Sequence, residues 1–323
     1  MKISGITQFS NRIRENIANV IVGKDDTTKL VVTALIAGGH VLLEDVPGTG
    51  KTVLSKALSL SLDSSFKRIQ FTPDLLPSDI TGTNIYNQKE MTFEFREGPA
   101  FTNILLADEI NRATPRTQSA LLECMEEKQV TSDGETRALP EPFFVIATQN
   151  PIEIQGTFQL PEAQLDRFLV RLSMGYPEGN DAKALLDRFI DANPLQEISP
   201  VATTSELIDA QKSFSAVYVS EAVREYIVKL AEATRNSSDV SLGVSPRGML
   251  AMLRASQAYA AVMGREYVLP DDIKQLAIPV FSHRIILKSG HGLASAKTAE
   301  LITNILSSIP APTEDPTVHD ERG

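Results

Sequence analysis

Residues 44–52 read Glu-Asp-Val-Pro-Gly-Thr-Gly-Lys-Thr, directly after the apolar run His40-Val41-Leu42-Leu43 and directly before a stretch of helical periodicity. A buried strand, a glycine-bearing loop and a helix start, in that order, let backbone N–H groups converge on phosphate. The loop fits G-x-x-x-x-G-K-[ST] except that Asp45 fills the first glycine position. Pro47, Gly48, Thr49, Gly50, Lys51 and Thr52 are therefore the candidate nucleotide contacts. Lys51 can reach the β- and γ-phosphates of a nucleotide, and the Thr52 hydroxyl can ligate Mg²⁺. Asp tolerates a left-handed backbone better than most residues, and its charge should point away from the phosphates. A glycine-rich turn with no ligand would give the same local pattern, so the loop needs company.

Short apolar runs at Val41–Leu43, Arg68–Phe71, Asn103–Ala107, Phe143–Thr148 and Phe168–Leu172 alternate with helical stretches. That alternation predicts an α/β fold, a parallel sheet sandwiched by helices. Upstream, Ile6, Phe9, Ile13, Ile17 and Ile21 form one helical stripe, and a second helix runs from Asp25-Asp26 to Gly38-Gly39. Two insertions, 83–95 and 129–139, read as β-hairpins projecting from the sheet, the second turning at Asp133-Gly134. From about residue 181 the pattern is helical only, over 181–191, 204–215, 219–235, 246–263, 270–282 and 293–307. The expected organisation is an α/β core at 1–178, a smaller all-helical lid at 179–308, and a flexible Pro-rich acidic tail at 309–323.

Two acids extend the chemistry. Ile104-Leu105-Leu106-Ala107 is a buried run ending in Asp108-Glu109, which a parallel strand would deliver beside the phosphates. Asp108 is the candidate Mg²⁺ ligand, and Glu109 the candidate base for the attacking water. Val145-Ile146-Ala147-Thr148-Gln149 ends in Asn150, whose neutral amide can hold a water or a phosphate oxygen without adding charge. Adjacent acids, or an Asn before Pro151, also suit an ordinary turn.

Bulk properties narrow the class. At 323 residues the chain is long enough for two domains, and 42% hydrophobic with 22% charged residues is a globular composition. A net charge of −10 opposes binding to a nucleic-acid backbone. The first residues lack a signal-peptide layout, and no apolar run approaches the ~18 residues of a membrane span, so a cytoplasmic protein without membrane insertion is expected. Cys124 sits among Leu121, Leu122 and Met125 at helical spacing and reads as a small core residue. His40, His283, His291 and His319 show no metal-ligand spacing.

The set EDVPGTGKT at 44–52, RIQFTPDLLPSDITG at 68–82, GPAFTNILLADEINRATPRTQSALLECMEE at 98–127, ATQNP at 147–151, LPEAQLDRF at 160–168 and GVSPRG at 243–248 resembles the MoxR family of AAA+ ATPases, over about residues 6–307. The family commonly lacks the first loop glycine, so Asp45 is no mark of a dead site. The resemblance implies a ring, usually of six subunits, with ATP and Mg²⁺ at each interface. It implies that Val22-Gly23 lines the adenine pocket and that Arg167 is a finger reaching a neighbour's γ-phosphate, with Arg171 as rival and Arg112 another cross-interface candidate. A salt bridge to Asp166 or Glu162 is the structural alternative for Arg167. Arg247 matches the residue that couples lid position to nucleotide state. The implied activity is chaperone-like maturation or cofactor insertion on client proteins, often with partners bearing von Willebrand factor A domains. A metal-chelatase motor and a nucleotide-dependent scaffold are the other readings.

Overall fold

The computed structural model describes residues 1–151, 156–190, 193–288 and 294–313. Chain order begins α1 (Ile3–Ala18), α2 (Asp25–Ile36), β1 (His40–Glu44), α3 (Lys51–Ser61), β2 (Phe66–Gln70), α4 (Pro77–Thr81), β3 (Gly82–Asn87) and β4 (Thr92–Glu97). It continues with β5 (Ile104–Asp108), α5 (Pro115–Glu127), β6 (Gln129–Ser132), β7 (Glu135–Ala138), β8 (Phe144–Gln149), α6 (Glu162–Leu165) and β9 (Phe168–Leu172). The five apolar runs form one parallel sheet in the order β2-β5-β8-β1-β9.

Strand period explains why both sheet faces are covered. Val41, Leu43, Ile104, Leu106, Phe144 and Ile146 belong to one core with α1, α2 and α3. Leu42, Leu105, Ala107, Val145 and Ala147 belong to a second core with Leu121, Leu122, Cys124 and Met125 of α5. Cys124 is buried as expected, and burial raises its thiol to about 12, which leaves it unreactive. On α1, Ile6, Phe9, Ile13 and Ile17 are fully buried, worth up to about 6–12 kcal/mol together. Ile21 is not on that helix: α1 ends at Ala18, and the chain carries Ile21 toward the loop that follows β1.

Both hairpins form as two-stranded antiparallel sheets, β3-β4 and β6-β7. Asp133 (φ 53°) and Gly134 (φ 82°) are both left-handed, as the tight turn requires. Tyr86 and Phe93 pair across β3-β4, ring centroids 5.3 Å apart, and are 49% and 73% exposed, so they pack on each other rather than on the core. The hairpins are joined by Asn84 Nδ2 donating to Asp133 Oδ2 (2.6 Å) and by Arg137 stacked 3.9 Å over Phe95.

The C-terminal region holds α7 (Asn180–Arg188), α8 (Thr204–Ser213), α9 (Glu221–Asn236), α10 (Pro246–Val262), α11 (Pro270–Phe281) and α12 (Ala294–Ser308). It is not wholly helical. β10 (Val240–Leu242) pairs antiparallel with β11 (Ile286–Leu287), strands too short to show alternation in sequence. α10 packs on α1 and α2, so this region shares the first core. Residues 314–323 of the expected tail, with His291 and His319, lie outside the described residues. No helix of the described residues is long and apolar enough to cross a membrane.

His40 is a buried clamp at the start of β1. Its Nδ1 accepts from Val145 N (3.0 Å), so Nε2 donates to the Met125 carbonyl (3.1 Å). Burial lowers its pKa from 6.5 to about 4. Above pH 6.5 the imidazole is neutral whether folded or not. Between about 6.5 and 4 the unfolded chain takes up a proton that the folded one refuses, so this histidine subtracts stability as pH falls, at about 1.4 kcal/mol per unit. Urea midpoints should therefore drop from pH 7.5 to pH 5, and His40→Gln should flatten the drop. An unchanged slope in that variant would clear His40 of the effect.

Candidate functional site

The loop after β1 is built on two glycines that no other residue replaces cheaply. Gly48 (φ 86°) and Gly50 (φ 92°) are left-handed, and a Cβ at Gly48 would meet nothing within 4 Å, which leaves open space over the loop. Gly50 caps α3 without a side-chain hydrogen bond, and the first turn of α3 carries no acid. The uncapped N–H groups and the positive helix end are thus available to an anion. Pro47 and Gly48 are exposed, Thr49 is buried, and Thr52 lies half-buried in the first turn.

Lys51 folds back over the loop, its Nζ donating to the carbonyls of Asp45 (2.8 Å) and Val46 (3.2 Å). Burial lowers its pKa, while Asp45, Asp108 and Glu109 oppose that shift. The two carbonyls hold the ammonium beside the loop, and the nearby acids favour its charged form. Asp45 has a negative φ, so it is not there to adopt a glycine-like conformation. Its carboxylate turns away from the loop, as expected, and accepts from Ser173 Oγ (2.8 Å), Gly175 N (3.1 Å) and Met174 N. The residue in the first glycine position is thus a tie between the loop and the chain leaving β9.

The acids reach the loop differently from the sequence expectation. β5 does not neighbour β1; β8 lies between them. Thr148 of β8 bridges the gap, donating to Asp108 Oδ1 (2.6 Å) and accepting from Glu109 N (2.8 Å). On β2, Arg68 and Gln70 project from one face: Arg68 Nη2 binds Asp108 Oδ2 (2.6 Å), and Gln70 Nε2 donates to Glu109 Oε2 (2.6 Å). Arg112 also pairs with Glu109 Oε2 (3.1 Å) in its own chain. Glu109 is left-handed (φ 56°, ψ 50°), a conformation that costs a non-glycine residue about 1–3 kcal/mol. Asn150 follows Gln149, which pairs with Glu44, so it sits beside the start of the loop.

Thr148, Gln70 and Arg68 carried no role in the sequence reading. Their one signal was a polar residue inside an otherwise apolar strand or at every second position of an edge strand. The oxygen donors of Thr52 and Asp108 suit Mg²⁺, which takes few protein ligands beside phosphate. Among the described residues no group of three or more His, Cys, Asp or Glu could hold a metal ion alone.

The α1–α2 linker closes one side. A Cβ on Gly50 would lie 3.9 Å from Ile21 Cδ1 and 3.8 Å from Met174 Cε, so Ile21, next to Val22, packs beside the loop together with Met174 from the chain after β9. Gly23 (φ 67°) is approached by α7: a Cβ there would meet Asp181 Oδ2 at 2.0 Å.

The arginines go elsewhere. Arg167 precedes β9, whose first residue pairs with His40 at the opposite end of β1 from the loop. A strand length, roughly 13 Å, separates it from the loop's base. Its partners are Leu122 O (2.7 Å) and Glu126 (3.0 Å), not Asp166 or Glu162. Arg247, in the first turn of α10, binds the same Glu126 (3.2 Å) and is likewise remote from its own chain's loop. Arg171 is mostly buried and paired with Glu44 (3.4 Å), a poor position from which to reach another molecule.

Residues 40–170 match the model of the ATPase family associated with various cellular activities (AAA), and residues 232–305 match the AAA lid domain. The chaperone MoxR1 of Mycobacterium tuberculosis is 39% identical over 92% of this chain and 80% of its own length. The chain belongs to the MoxR family of AAA+ ATPases. Protein MoxR of Paracoccus denitrificans is 33% identical over 96% of this chain and 99% of its own. The uncharacterized protein YeaC of Bacillus subtilis reaches 50% over 93% and 94%. A solved structure of a candidate ATPase from Cytophaga hutchinsonii superposes with a TM-score of 0.86 at 37% identity, covering 96% of this chain and 98% of that one. In this MoxR-type ATPase the loop, the Thr148-linked acids and Asn150 lie together at the C-terminal ends of the strands, and Arg167, with Arg247 beside it on Glu126, lies at the opposite end.

Proposed function

We propose that this ATPase works as a ring, of six copies by family resemblance, with each ATP held between the loop of one copy and Arg167 of the next. The observation carrying this reading is that Arg167 stands a strand's length from its own loop and at the surface, where a neighbour's nucleotide is the reachable one. Residues 1–178 act as the ATPase core and 179–308 as the lid.

In this reading Val22 and Gly23 take the adenine, Pro47–Gly50 the phosphates, and Lys51 leaves the Asp45 and Val46 carbonyls for phosphate oxygens. Thr52 and Asp108 hold Mg²⁺, which neutralises charge on the phosphates when bound. Asn150 holds the attacking water, and Glu109 takes its proton once released from Gln70 and Arg112. Loss of the bridging phosphate changes how copies pack, and the exposed Tyr86-Phe93 hairpin transmits that change to a client protein. The chaperone name of a relative and the family resemblance support remodelling or maturation of clients, with partners bearing von Willebrand factor A domains. Specific ATPase activity should need Mg²⁺ and rise with protein concentration through the assembly range. Activity per copy that stays flat on dilution to monomer would refute shared sites.

A further inference from the structure

Glu126, in the last turn of α5, holds both candidate arginines at once: Oε2 takes Arg167 Nη2 (3.0 Å) and Oε1 takes Arg247 Nη2 (3.2 Å). The two backbones are already fastened together. Asp166, next to Arg167, accepts from Arg284 Nε (2.6 Å) and from Ser245 Oγ (3.1 Å), and Ser245 caps the helix that carries Arg247. Two guanidinium groups against one carboxylate leave a net positive charge at the surface, with side chains 29% and 48% exposed. A carboxylate that engages one guanidinium at each oxygen spaces them for a second anion of similar oxygen geometry, such as a phosphoryl group.

We propose that Glu126 is a positioning residue that couples Arg167 and Arg247 into one unit receiving the terminal phosphate of a nucleotide bound to a neighbouring copy. The proposal rests on the shared-pocket reading above. What it adds is that one carboxylate sets the spacing of the two arginines. Because all three side chains are substantially exposed, the ion pairs contribute little to folding, and removing the carboxylate leaves a folded chain.

The test uses full-length Glu126→Ala and Glu126→Gln, each alone and mixed with other variants. Alone, each should bind a fluorescent ATP analogue as the unmodified protein does, since Glu126 lies far from the loop. Their kcat should fall about 10- to 100-fold with KM nearly unchanged, the scale of a misplaced catalytic group. Mixed with Lys51→Ala, which keeps intact arginines, either variant should regain turnover. Mixed with Arg167→Ala, neither should, because both defects lie on the same face. Turnover at or above the unmodified level, recovery with Arg167→Ala, or no recovery with Lys51→Ala for either variant overturns the assignment. The mixture of Lys51→Ala with Arg167→Ala tests the shared pocket itself: if it recovers while Glu126 variants are fully active, only the role of Glu126 falls.

Discussion

Arg167→Ala is expected to lose about 10³-fold or more in ATP turnover while still binding nucleotide. Fingers of this kind are worth 10³–10⁵ in rate, roughly 4–7 kcal/mol of barrier. The partly exposed ion pair with Glu126 is worth at most about 1 kcal/mol and the hydrogen bond to the Leu122 carbonyl about 1.5–3 kcal/mol, so retained nucleotide binding is what shows that unfolding does not explain such an effect. Lys51→Ala should be equally inactive for a different reason, because in the proposed pocket its ammonium, now on the loop carbonyls, is the loop's own cation for the phosphates. The two inactive proteins, mixed before assembly, should regain activity. An interface works when an Arg167→Ala copy supplies the loop and a Lys51→Ala copy supplies the arginine, which random mixing gives at about one interface in four of a head-to-tail ring. Mixed assemblies that remain dead would remove Arg167 from the trans role. Arg171 is a weak substitute, since burial and its pairing with Glu44 hold it against its own chain.

The elements were legible where apolar runs were short and bounded: all five strands of the sheet fell within two residues of their expected places. Strand order was not legible, and with it went the route by which the acids meet the loop. Local sequence marks that a strand ends in Asp108-Glu109; only pairing reveals that β8 intervenes and that the Thr148 hydroxyl must bridge. Asp45 shows the same limit. Its motif position invited a backbone explanation, yet its energetics lie 128 residues away in Ser173 and the amides beyond it. The Glu126 contact with Arg247 crosses from core to lid, and that with Arg167 joins α5 to the turn before β9; no periodicity encodes contacts so far apart in sequence. β10 and β11 were missed because two or three residues cannot display a period.

Glu109→Gln should retain ATP and cut its hydrolysis by about 10²- to 10⁴-fold, the range ascribed to general-base catalysis. The substitution keeps the side chain's length and a carbonyl oxygen that can still accept from Gln70 Nε2, now at 2.6 Å, and from Arg112. What it removes is a proton acceptor at pH 7. The backbone at 109 already sits in a costly left-handed well, stabilised by its N–H donating to Thr148, and that hydrogen bond does not involve the side chain. Folding stability should therefore change little, which thermal unfolding of the variant will check. Single-turnover measurements then separate two possibilities. If the variant cleaves bound ATP as fast as the unmodified protein, the base lies elsewhere and the Gln70–Glu109–Arg112 contacts are structural. If it holds uncleaved ATP, the same variant becomes a trap whose assemblies keep their client engaged, because the step that alters packing between copies no longer occurs.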